Sequence, residues 1–310
     1  MKSDVPLRDR CKGRWREILP ALGVSSAILI AKHQPCPING CGGTDRFRWT
    51  DHEGGGGYIC SQCQSGDGFS LAMGVLGVDF KEVATRIEGI IGTLPPPSAQ
   101  RPKLSSDQLQ KMMIETWRAS QRVTYGDPVE RYLSARGIDL KIYPDCLRYH
   151  PDLRYAAGVS YPAMLARVTG PDGESSNLHR TYLDRDGAGK APEAVPRKMM
   201  AGSVPHGSAI RLIAHSPAMG VAEGIENALS AAILWNMPVW SCIDAGKMMG
   251  WSPPDGVETV YIFGDCDANF TGQSAAYALA NRLYIKNKIK VVVQIPEDEG
   301  DDINDMLRKG

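Results

Sequence analysis

Several features are missing from this 310-residue sequence, and each absence removes a class of protein. There is no run of about 18 consecutive apolar residues, the minimum for a membrane-spanning helix. There is also no basic-then-apolar amino-terminal segment of the secretory kind, so the expected compartment is the cytoplasm, with no membrane partner. That context argues against a disulfide framework for the eight cysteines. Net charge is missing too: 35 Lys and Arg balance 35 Asp and Glu, which argues against a simple basic coat for nucleic acid. Apart from Gly54 to Gly57, no low-complexity tract or internal repeat occurs. A phosphate loop is lacking as well. The stretch GAGKA at Gly187 to Ala191 has neither the earlier glycine nor a Ser or Thr after Lys190, so no nucleotide-driven motor is built in.

What is present begins with a segregation of charge that the zero total hides. Lys and Arg against Asp and Glu count 11 to 10 over residues 1–100, 17 to 12 over 101–215, and 7 to 13 over 216–310. A basic middle and an acidic end suit a phosphate-bearing ligand held between cations and carboxylate-bound metal, although solvated faces of unequal sign would read the same way.

The chain length allows two or three domains. A first segment, 1–92, gives way to a linker at 93–107 containing three consecutive prolines. Residues 108–215 form a basic α+β segment, in which Asp127 caps a helix that starts at Pro128. A hairpin there turns at Pro171 to Gly173. Residues 216–310 alternate strand and helix four times, which predicts an α/β domain with a mostly parallel sheet and functional groups at the strands' carboxyl ends. Its helices are expected at Ile225 to Trp235 and Ser274 to Tyr284. In the first segment, Phe80, Val83, Ile87, Ile90 and Ile91 have the spacing of a packing helix.

Four of the cysteines cluster. Cys36 and Cys41 enclose four residues, Cys60 and Cys63 enclose two, and 18 residues separate the pairs. Each short loop can turn two thiolates toward one tetrahedral centre, and the spacer is long enough for a β-hairpin, so these four are expected to hold structural Zn²⁺ in a small β zinc ribbon. His33 is a rival for one position. Inside the spacer, Arg46 and Arg48 alternate with Phe47 and Trp49. Cations on one strand face and aromatics on the other make Arg46, Arg48 and Trp49 candidates for single-stranded nucleic acid, with a buried aromatic face as the alternative.

Acidic residues recur after strands in the last third: Glu223, then Asp265 and Asp267, then Asp301, Asp302 and Asp305. In a parallel sheet these ends share one edge. Two acids one residue apart, such as Asp265 and Asp267, repel unless a cation lies between them, and convergent oxygens select Mg²⁺ or Mn²⁺.

The stretches VAEGIENALSA and YIFGDCDANFTG resemble the Toprim domain shared by bacterial-type primases, topoisomerases and certain nucleases. GDDINDML is similar to the further acidic element of phage and plasmid primases. The cysteine segment resembles the zinc ribbon of primases and primase-helicases from phages and mobile elements, although its first pair is spaced more widely than is usual there. The resemblance covers about two thirds of the chain. It implies a DNA primase: a nucleotidyltransferase that makes short RNA from ribonucleoside triphosphates on a single-stranded DNA template, assisted by a separate replicative helicase. In that reading Glu223, Asp265, Asp267 and Asp302 are catalytic and hold the divalent metal, with the role of Glu223 as base or ligand left open. Arg148, Arg167, His179, Arg180, Lys190 and Lys198 are candidates for the cationic clamp on template or triphosphate. A Toprim nuclease, or a non-catalytic DNA-binding accessory protein, stands as the alternative.

Overall fold

The computed structural model describes residues 5–94 and 104–310, so most of the expected linker, 95–103, lies outside the described residues. The chain divides into two compact units, Met1–Lys103 and Leu104–Gly310. Among the described residues, no helix is long and apolar enough to cross a membrane.

The first unit contains helices α1 (Leu7–Cys11) and α2 (Trp15–Ala21), strands β1 (Phe47–Trp49), β2 (Tyr58–Cys60) and β3 (Gln64–Gly66), and helices α3 (Gly68–Leu76) and α4 (Phe80–Ile91). The strands form a three-stranded antiparallel sheet in that order. Asp67 and Asp79 cap α3 and α4, their carboxylates accepting the Ser70 and Glu82 backbone N–H groups at 2.9 and 2.8 Å. Val83, Ile87 and Ile91, four apart on α4, are buried against Trp15, Phe47, Trp49 and Phe69. Each such side chain stabilises the unit by about 1.5–3 kcal/mol. Phe80 departs from the expected packing face: it lies in the first turn, is 53% exposed, and meets only the edge of the core through Phe69, 5.3 Å away.

The second unit opens with α5 (Ser106–Arg118), β4 (Gln121–Arg122) and α6 (Pro128–Ser134), then β5 (Leu147–Ala156), β6 (Val159–Thr169), β7 (Ser175–Tyr182) and β8 (Arg197–Met199). Asp127 caps α6 through the Val129 and Glu130 N–H groups, with Pro128 at the first position. The hairpin turn closes where Gly170 N–H reaches the Glu174 carbonyl at 2.8 Å. The sheet is antiparallel in the order β4-β5-β6-β7-β8. Period-two alternation along the central strand β6 serves two cores. Met164, Ala166 and Val168 enter the large one, whereas Ala163 and Leu165 join Leu153 and Tyr182 on the other face.

Next come β9 (Ala218–Ala222), α7 (Ile225–Trp235), β10 (Val239–Ser241), α8 (Ala245–Gly250), β11 (Thr259–Phe263), α9 (Thr271–Arg282), a π-helical turn (Leu283–Asn287), β12 (Lys290–Gln294) and α10 (Ile303–Lys309). All strand pairs are parallel, in the order β10-β9-β11-β12. Helix α9 starts three residues earlier than the spacing suggested. Gly272 permits this, because a Cβ there would lie 2.7 Å from the Asp265 carbonyl, so only glycine lets the helix begin tight against the strand end. The two sheets differ in direction but share a core, in which Leu147, Met164 and Val168 pack with Ile225, Leu229, Phe263 and Ile303.

Candidate functional site

In the ribbon, Gly40 and Gly42 take left-handed φ values of 80° and 64°, which lets the wide first cysteine loop close. The four sulfurs lie within 4.8 Å of one another, with Cys36 Sγ 3.9 Å from Cys63 Sγ and Cys41 Sγ 3.7 Å from Cys60 Sγ. Zinc–sulfur bonds of tetrahedral geometry require an edge of about 3.8 Å, close to the two shortest of these separations, so the donor set fits zinc. Burial pushes the Cys36 thiol up to about 11. Cys60, against the same burial, is drawn down to about 7 by the Cys63 and Gln62 backbone N–H groups. His33 lies outside the set, its Nδ1 3.4 Å from the Asp45 carbonyl.

The strand between the cysteine pairs corrects one expectation. Trp49 is 1% exposed and Phe47 is fully buried, stacked on Tyr58 at 5.5 Å, so neither ring is open to a base. The small unit needs those rings for its core. Arg46 is exposed and bonded to Gln62, and Arg48 is half-buried, facing outward with Ile59 as its cross-strand neighbour.

At the carboxyl edge of the parallel sheet, Ala222 and Phe263 are register partners, so the residues that follow emerge side by side. Glu223, Asp265, Asp267 and Asp302 are all half-buried there. Burial raises Asp265 to about 7, and the Glu223, Asp302 and Asp267 carboxylates add to the rise. Glu223 is also raised by burial, which Arg197 opposes and Asp244 and Asp267 reinforce. Asp302 is raised chiefly by burial. Such mutual repulsion asks for a cation, and all-carboxylate oxygen chemistry fits a hard divalent ion.

Each aspartate has one oxygen fixed by a protein donor. Asp265 Oδ1 accepts from Asn227 Nδ2 at 2.7 Å, Asp267 Oδ2 from Gly272 N–H at 2.8 Å, and Asp302 Oδ1 from Asp305 N–H at 2.9 Å. Their other oxygens remain for a ligand. Among the described residues only the cysteines have ligand atoms all within 4.8 Å, so the acids form a wider, open group. Asp301 and Asp305 face elsewhere: Asp301 pairs with Lys309, and Asp305 closes the α10 capping box and lies 3.8 Å from Arg308.

Several groups escaped the sequence reading. Glu226, 6% exposed, accepts a hydrogen bond from Tyr132 Oη at 2.5 Å and lies 3.7 Å from Lys190 Nζ. Burial opposes its charge, but Lys190 and the Tyr132 hydroxyl hold it down at about 2. Asn304 N–H donates to Asn227 Oδ1 at 3.2 Å, while its Nδ2 reaches Ser230 Oγ at 3.0 Å and the Arg136 carbonyl at 2.8 Å. Glu226 and Asn227 belong to the EGIEN stretch, and polar residues inside an otherwise apolar helix were the available signal.

The clamp candidates prove heavily engaged. Arg148 and Arg167 flank the Trp117 ring at 5.1 and 5.7 Å, and Lys198 lies 3.3 Å from the Tyr155 centroid. Arg180 donates to the Met199 carbonyl at 2.6 Å and to Tyr182 Oη at 3.0 Å. Two expectations are corrected. His179 is 7% exposed and lowered by burial to about 4, so it is neutral and not a cationic contact. Lys190 is committed to Glu226, because a buried carboxylate must be paired. Arg197, not foreseen, is exposed and opposes the rise at Glu223.

These parts define an α/β protein with a four-thiolate ribbon and a carboxylate edge. Residues 31–69 match the zinc-binding domain of primase-helicase, 107–212 a domain of unknown function (DUF7146), and 218–310 the Toprim domain. The chain therefore carries a primase-helicase type zinc-binding segment and a Toprim domain, its two motifs in the order read from the sequence. Among solved structures it is similar to the primase fragment of the bacteriophage T7 primase-helicase protein, at 17% identity over 90% of this chain and 95% of that one, TM-score 0.41. It is also similar to the zinc-binding and RNA polymerase domains of the Aquifex aeolicus primase, at 14% identity over 86% and 73%, TM-score 0.43. A third likeness is to the RNA polymerase domain of the Mycobacterium tuberculosis primase in complex with double-stranded DNA, at 12% identity over 66% and 80%, TM-score 0.38.

Proposed function

We propose that the chain is a DNA primase that joins ribonucleotides on single-stranded DNA. The observation that supports this most is the gathering of Glu223, Asp265, Asp267 and Asp302 at one sheet edge, each of the first two driven up partly by its neighbours' charge. Asp265, Asp267 and Asp302 would hold Mg²⁺ or Mn²⁺ through the oxygens that their protein donors leave free. A bound divalent ion supplies charge neutralisation for a 3′-hydroxyl nucleophile and a departing pyrophosphate. Glu223 takes the proton of that hydroxyl, its raised affinity for protons suiting it to a base. Arg197, beside Glu223, meets the triphosphate, and the Arg148–Trp117–Arg167 stack meets the template. Arg46 and Arg48 on the ribbon select the start site.

A separate helicase supplies unwinding. The Gly187–Ala191 loop cannot cradle phosphates: Gly187 packs on Pro128, and Lys190 is bonded into the core. The test is to incubate the purified chain with single-stranded DNA, labelled ribonucleoside triphosphates and Mg²⁺ or Mn²⁺. Short RNA products are expected, and they should vanish in Asp265→Asn. Shortened DNA without RNA would establish a nuclease instead, and neither product an accessory protein.

A further inference from the structure

The segment Ala268–Pro296 contains no acidic residue and four basic ones, although residues 216–310 as a whole carry 7 bases against 13 acids. It begins one residue after Asp267 and comprises α9, the π-helical turn and β12. Its buried side, Ala275, Ala276, Leu279 and Leu283, packs on the sheet. Its outer side carries three large aromatics: Phe270 at 68%, Tyr277 at 61% and Tyr284 at 65% exposure. They are seven residues apart: Phe270 at the cap that opens α9, Tyr277 in the middle of the helix, and Tyr284 in the π-helical turn that closes it. None of the three rings stacks on another group among the described residues, and neither phenol is hydrogen-bonded there. Beyond the last ring stand Lys286, Lys288 and Lys290, all exposed and all without an ion pair among the described residues.

Phe270 is the unusual member. It sits three residues after Asp267 with φ 61° and ψ 18°, a left-handed conformation that favours glycine. Its N–H donates to the Asp267 carbonyl at 3.0 Å, so the strained residue is fastened to the acid edge. A large ring in that conformation, facing water, stabilises neither the turn nor the core. Strain held beside a candidate site points to a use for the side chain.

We propose that Phe270, Tyr277 and Tyr284, with the three lysines beyond them, form a stacking track that carries single-stranded DNA along α9 away from the carboxylate edge. The choice of ligand rests on the primase reading above. Rings accept any base by stacking, and lysines follow the phosphates, which is the chemistry of sequence-tolerant single-strand binding. The helix covers about 1.5 Å per residue, so the three rings span roughly 21 Å, room for several nucleotides. The composition of the segment favours this occupant: from Ala268 to Pro296 the chain itself contributes four cations and no carboxylate, although the exposed Glu258 lies beside Lys290.

The experiment uses the full chain and fluorescein-labelled oligothymidylate, read by anisotropy, together with thermal unfolding. Phe270→Gly removes both ring and strain. It is expected to weaken DNA binding about fivefold to tenfold while leaving the melting temperature equal or higher. Phe270→Tyr should restore affinity. Lys286→Glu with Lys288→Glu should weaken binding and flatten its salt dependence. Oligonucleotides bearing 5-iodouracil should photocrosslink to Phe270 or Tyr277.

Wild-type affinity in Phe270→Gly, with crosslinks confined to other residues, would overturn the track while leaving primer synthesis intact; the face would then be free for a protein partner. Loss of primer synthesis as a property of the wild-type chain, with DNA binding still sensitive to Phe270, would overturn the primase reading and leave the track standing.

Discussion

Asn227 Nδ2 donates to Asp265 Oδ1 at 2.7 Å, while Asn227 Oδ1 accepts the Asn304 N–H at 3.2 Å. One buried amide thus ties the acid after β11 to helix α10, whose cap is Asp302. Removing it in Asn227→Ala should weaken Mn²⁺ binding about tenfold by titration calorimetry. Asn227→Asp should do more harm, because it sets a like charge against Asp265. Unchanged Mn²⁺ affinity in both variants would show that Asp265 needs no such support.

Lys190 and Glu226 form the second predicted coupling. Lys190→Met leaves a buried carboxylate unpaired and should cost about 3 kcal/mol in urea unfolding. Glu226→Gln in the same chain should recover most of that loss, because the charge that Lys190 neutralised is gone. Additive penalties in the double variant would contradict a direct ion pair.

The buried His179 predicts a pH dependence. Burial lowers it to about 4 from an ordinary 6.5, against Glu226, which pulls it up, and with Arg197, Arg180 and Lys190, which push it further down. Between those values the unfolded chain binds a proton that the folded chain does not. Stability is therefore complete above pH 6.5 and falls as pH drops toward 4, by as much as about 3 kcal/mol. His179→Gln should flatten that part of the curve in chemical unfolding at successive pH values.

Asp265 titrates the other way. Its folded value, raised to about 7 from 3.8, means that the metal-free folded chain holds the proton longer and loses stability as pH rises through 7. At pH 8 and without metal, Asp265→Asn should be more stable than wild type by about 1–3 kcal/mol. Mn²⁺ should raise the melting temperature of wild type and leave that of the variant nearly unmoved. Equal Mn²⁺ shifts in both would remove Asp265 from the metal site.

Chelation or Cys60→Ser should abolish zinc content and unfold the ribbon, seen as a lost near-ultraviolet signal from Trp49 and Trp15, both buried in that core. Retention of that signal after complete zinc removal would mean the apolar core alone holds the unit.

Much of the fold was legible because its signals are local. Cysteines with only two or four residues between them can turn their thiolates together, and the hairpin turn and the Asp127 cap lie within single loops. The strand and helix alternation that puts acids at a sheet edge is likewise written in short-range periodicity. Trp49 was less legible. Alternation separated its face from that of Arg48, but which face would be buried depended on how much apolar surface a small ribbon can find elsewhere.

By itself, then, the sequence determined the ribbon ligands, the parallel sheet and the acids at its edge, since each follows from spacing along the chain. Only the tertiary structure decided what each polar group would face. Tyr132 meets Glu226 across 94 positions and Arg136 meets Asn304 across 168, and no local pattern records such pairs. Packing made those choices: two sheets sharing one core bury charges from three elements together, and a charge taken out of water must find its partner among whatever the fold has brought near.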